Sequence, residues 1–72
     1  MVSTREIEAL RADARYHSER YAIYRAKAYG QRPTSAARLE ALERAAAAAQ
    51  ERLAHAEREA AAEREERDGL AS

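Results

Sequence analysis

The side chains of this 72-residue sequence that could do chemistry near neutral pH are two histidines, thirteen carboxylates, a few hydroxyls and a set of arginines interleaved with tyrosines. His17 stands one helical turn after Asp13, and His55 stands one turn from both Glu51 and Glu59. Side chains four residues apart share a helix face, so such spacing can orient an imidazole or supply two ligands to a divalent cation. The same spacing arises by chance in any glutamate-rich helix, and no metal or cofactor is expected here. His17 is instead expected as a partly buried ring hydrogen-bonded to Asp13 or to a backbone group, and His55 as an exposed helical residue. Ser3, Ser18, Thr34, Ser35 and Ser72 stand in no histidine–acid arrangement that would make a nucleophile. Neither glycine belongs to a phosphate-binding loop. With no catalytic constellation, the chain is expected to be non-enzymatic and to take no small-molecule substrate.

The arginines offer a second kind of chemistry. From Arg20 to Arg38 there are five basic residues and no acid: Arg20, Arg25, Lys27, Arg32 and Arg38. Tyr16, Tyr21, Tyr24 and Tyr29 lie among or beside them, and guanidinium groups next to aromatic rings can grip phosphate and stack on unpaired bases. Glu40 and Glu43 then lower the net charge of residues 20 to 43 to +3. A small nucleic-acid-binding regulator working through these five cations is the alternative functional expectation. The leading one is a surface for another protein.

Both readings require helices to place these side chains. Ile7, Leu10, Ala14, His17, Tyr21, Tyr24 and Ala28 step alternately by three and four residues, and Leu39, Leu42, Ala46, Ala49, Leu53, Ala56 and Ala60 repeat the pattern. This is coiled-coil spacing. Gly30-Gln31-Arg32-Pro33 breaks it once. Ser3 and Glu6 form a capping box that starts helix one near Thr4. Gly30, able to adopt the left-handed conformation, and Pro33, unable to continue a helix, should end it. Thr34 or Ser35 caps helix two, which meets no breaker before Gly69. The expected boundaries are helix one over about 4–29, a turn over 30–34, helix two over about 35–67 and a frayed tail over 68–72. Alternatively, Leu70, which keeps the three-four step, docks on a partner subunit. So short a turn permits only an antiparallel neighbour.

The fold class is thus all-α, a single antiparallel coiled-coil hairpin. Facing residue numbers should sum to roughly 62 to 67 given the approximate helix ends. That register sets Arg5 near Glu59, Glu6 near Arg58, Arg11 near Glu51, Asp13 near Arg52, Arg20 near Glu43, and Arg25 and Lys27 near Glu40. All are opposite in sign. Each such surface pair contributes only about 0–1 kcal/mol, so they speak for register more than for stability. Large residues close both ends of the seam while alanines fill the middle, which buries little area.

A second stripe on helix one, Ala9, Ala12, Tyr16, Ile23 and Ala26, points away from the seam. A helix that is apolar on two faces is expected to pack on both. Tyr16, Ile23 and Ala26, with Tyr29 and Arg32 at the hairpin tip, are the expected protein-binding residues. The partner is expected to be a second copy forming a four-helix bundle, another helical protein, or both. There is no cysteine, which suits a reducing, cytoplasmic setting. The start, Met1-Val-Ser-Thr-Arg-Glu-Ile-Glu, places acids where a secretory signal needs apolar residues, so export is not expected. The longest run of apolar residues is Ala45 to Ala49, too short to cross a membrane. Twenty alanines and twelve arginines against a single lysine suggest a GC-rich bacterial or phage genome.

Overall fold

The computed structural model describes residues 2–30 and 33–71. Two helices pack against each other as a hairpin, α1 over Thr4–Ala28 and α2 over Ala36–Ala71. Their 25 and 36 residues correspond to roughly 37 and 54 Å of helix at 1.5 Å per residue. The hairpin measures 61 × 17 × 15 Å. Its radius of gyration is 17.2 Å, where a compact chain of this length would have about 11 Å.

Local chemistry accounts for the starts of both helices. The Glu6 N–H donates to Ser3 Oγ at 3.1 Å, and Ser3 sits in the extended conformation expected of an N-cap. At the second start the cap is Ser35 rather than Thr34, because Ser35 Oγ accepts from the Arg38 N–H at 3.3 Å. Arg25 and Lys27 occupy the last turn of α1, where cations complement exposed carbonyls.

The ends depart from expectation. Gly30 closes α1 without a positive φ. The last carbonyls are met instead by the Tyr29 N–H, bonded to Arg25 O, and by the Gly30 N–H, bonded to Lys27 O, with Tyr29 still in the right-handed region. α2 does not stop near residue 67 but continues through Gly69 to Ala71. A glycine within a helix costs only about 1 kcal/mol against alanine, too little to terminate one when no left-handed turn follows.

The side chains that face inward are those of the three-four pattern. Ala14, Ala46, Ala49 and Ala56 are buried, and Ile7, Leu10, His17, Tyr21, Tyr24, Ala28, Leu39, Leu42, Leu53 and Ala60 are half-buried. The tightest point is the alanine middle, where Ala49 is 0% and Ala14 2% exposed. No large side chain among the described residues is fully buried. Both ends are tied across the helices. The Val2 N–H donates to Glu63 Oε1 at 3.1 Å, and the Ser35 N–H donates to Tyr24 Oη at 2.8 Å.

Of the expected ion pairs between helices, Asp13 with Arg52 is present, at 3.0 Å. Among the described residues the others are not made. Arg58 turns to Glu51, two turns back on its own helix, at 3.3 Å, and Glu59 takes His55 at 3.0 Å. Long side chains on an exposed face choose among several acids at similar reach, and same-helix partners need no particular register. Gln50 Nε2 reaches Ser18 Oγ at 3.4 Å, a polar contact across the seam's edge.

Candidate functional site

The outer face of α1 carries the large apolar side chains that the hairpin does not use. Tyr16 is 53% and Ile23 60% exposed, and Ala9, Ala12 and Ala26 lie in the open on the same helix; Tyr29, 80% exposed, follows as its C-cap. A helix has one seam against its neighbour, so the stripe that starts at Ala9 must point away from the stripe that starts at Ile7. Leu70, at 90% exposed, stands alone near the end of α2.

Three of the four tyrosines are held by arginines. Arg20 Nη1 donates to Tyr16 Oη at 3.2 Å, with the guanidinium carbon 5.6 Å from the ring centre. On the other side the Tyr16 ring meets the His17 ring edge-on, centroids 5.3 Å apart and planes at 70°. Contacts to the next residue and to the one a turn later restrict how the phenol can swing. Arg25 stacks on Tyr29 and Arg38 on Tyr24, each 5.6 Å from the ring centre. The Arg25 guanidinium is held above its ordinary pKa, first by a side-chain hydrogen bond with Tyr29 and then by the nearby phenols of Tyr21 and Tyr29 and the carboxylate of Glu43. Arginine is fully charged at neutral pH with or without this shift.

Three of the five cations expected at the tip come together. Arg20, Lys27 and Arg38 line one shallow depression of about 220 Å³ with Ile23, Tyr24 and Leu42. Arg25 does not line it, being stacked on Tyr29 instead. Arg32, expected in both the protein-binding and the nucleic-acid-binding sets, lies outside the described residues. A larger open hollow of about 340 Å³ lies at the other end, between Val2, Thr4, Ile7 and Arg11 at the start of α1 and Ala60, Glu63, Arg64 and Arg67 of α2.

The histidines are occupied by carboxylates. His17 Nε2 lies 3.4 Å from Asp13 Oδ1, while the second oxygen of Asp13 takes Arg52. His55 pairs with Glu59, and Glu51 with Arg58. Among the described residues no group of three or more histidine, aspartate or glutamate side chains is placed to hold a metal ion. No described helix is long and apolar enough to cross a membrane.

Sequence reasoning located the exposed stripe and the cations but missed the tyrosine–arginine stacking and the Tyr24–Ser35 bond. Tyr24 and Ser35 are eleven residues apart, and only the path of the turn brings them together. The i, i+4 spacing of Tyr16 with Arg20 and of Arg25 with Tyr29 was a legible signal for two of the three stacks. Compared with family models, curated proteins and solved structures, the chain finds no significant match in any of the three.

Proposed function

We propose that this chain is a non-enzymatic helical-hairpin protein of the bacterial or phage cytoplasm that acts by binding protein through the outer face of α1. Tyr16, Ile23 and Ala26 form the contact, with Tyr29 at its tip end. The observation that carries this reading is the inversion of the usual burial order. The best-buried residues are alanines, while Tyr16 and Ile23, both more than half exposed, lie on the stripe that points away from the seam, and Tyr29, 80% exposed, caps the same helix. Apolar side chains concentrated on one face, rather than scattered singly, mark an interaction surface. The seam's three-four spacing is that of a coiled coil, and two hairpins joined through α1 make a four-helix bundle. The absence of cysteine fits a reducing compartment.

Sedimentation of the wild type and of the double variant Tyr16→Glu, Ile23→Glu tests the reading, with circular dichroism as a fold control. Both side chains lie outside the seam, so helicity should persist while association is lost. Equal association of the two proteins, or a wild type that is monomeric and binds no helical partner, would remove it.

One observation favours a second reading, a contact with nucleic acid. Arg20, Lys27 and Arg38 share a depression that no acid lines. A contact of that kind weakens steeply with salt as phosphate counterions are released. An apolar helix interface changes little or tightens.

A further inference from the structure

Resting on the protein-binding reading above, we propose that the partner on this face is a second copy of the chain, docked with its α1 antiparallel about a two-fold axis between residues 17 and 18. The first support is area. The chain exposes 5731 Å², whereas a compact protein of 8.1 kDa exposes about 4,500 Å². The surplus of about 1,200 Å² exceeds the roughly 800 Å² that each partner contributes to a stable interface. A second copy laid along the hairpin can cover it.

The second support is charge, which also fixes the direction. The stripe has six positions in strict three-four steps: Ala9, Ala12, Tyr16, Glu19, Ile23 and Ala26. It is palindromic in spacing, so an antiparallel copy whose facing numbers sum to about 35 pairs every position within the stripe. Ala9 then meets Ala26 of the second copy, Ala12 meets its Ile23, and Tyr16 meets its Glu19. Large faces small, and the only acid in the stripe faces a phenol rather than another acid. Charges flanking such a seam set its direction. In the antiparallel arrangement Asp13, half-exposed, lies beside Arg20 of the second copy, on both sides of the axis.

A parallel copy reverses each of these. It sets Arg15 beside Arg20, Glu8 beside Asp13 and Glu19 against Glu19, all like-charged. It also brings together two hairpin tips, each with five basic residues and no acid between Arg20 and Arg38. The antiparallel copy instead lays each tip alongside the partner's opposite half, which carries most of the acidic residues of α2.

Single cysteines report the direction cleanly because the chain has none of its own. Ala9→Cys and Ala26→Cys both alter exposed alanines of the stripe. In the antiparallel dimer two copies of Ala26→Cys lie about 25 Å apart along the axis at 1.5 Å per residue. Under mild oxidation each variant alone should therefore stay unlinked, and an equimolar mixture of the two, one carrying a mass tag, should give the mixed disulfide dimer. Self-linked Ala26→Cys without the mixed product would establish a parallel pair, overturning the proposal while leaving the binding face intact. Absence of any linkage among the cysteine variants, together with a wild type that sediments as a monomer, would exclude the second copy; association undiminished in Tyr16→Glu, Ile23→Glu would instead remove the face itself.

Discussion

Replacing Ala49 with leucine is the sharpest probe of how the helices are held. Ala49 is 0% exposed and lies in the alanine middle of the seam with Ala14, itself 2% exposed. An isobutyl group in place of a methyl finds no free volume there. It must separate the helices, or leave its rotamer well, at a cost of about 1–3 kcal/mol. For a chain of this length each kcal/mol moves Tm by roughly 4–8 °C, so a fall on the order of 10 °C is expected. The matched control is Ala47→Leu, on an exposed position of the same helix two residues away, where the change should stay within about 0.5 kcal/mol. Thermal unfolding followed at 222 nm, at one protein concentration for all variants because association raises apparent stability, gives both numbers. If Ala49→Leu proves as stable as Ala47→Leu, the helices are not held at a distance set by alanine. The seam as described would then be wrong.

Two smaller changes test the ends. Gly69→Ala should stabilise the chain by up to about 1 kcal/mol, read by urea titration, because Gly69 is helical without a positive φ and a Cβ there meets nothing within 4 Å. Tyr24→Phe removes the acceptor for the Ser35 N–H and should cost about 0.5–1.5 kcal/mol, with faster amide exchange at Ser35 than in the wild type.

The seam was legible because periodicity is a property of the whole chain. From Ile7 to Ala28 and from Leu39 to Ala60 each predicted inward position is buried or half-buried, since a slip of one residue would turn the apolar face to water. Start signals were equally plain, as a hydroxyl before a helical run has one effective use. The stops were harder. Glycine permits a left-handed end but does not enforce one, and Gly30 and Gly69 both keep negative φ. Ion pairs were legible where reach was restricted, as for Asp13 and Arg52, and not where several acids competed, as for Arg58. The exposed stripe could be read from spacing alone. The stacking of Arg38 on Tyr24 could not, because it depends on how α2 leaves the turn.

The distribution of bulk along the seam bears on alignment. A run of alanines is smooth, and by itself would let one helix slide past the other by seven residues with its pattern preserved. Such a slide would part Val2 from Glu63 and Tyr24 from Ser35. Misalignment is thus resisted at the two extremities, which frees the centre to be as slender as backbone contact allows.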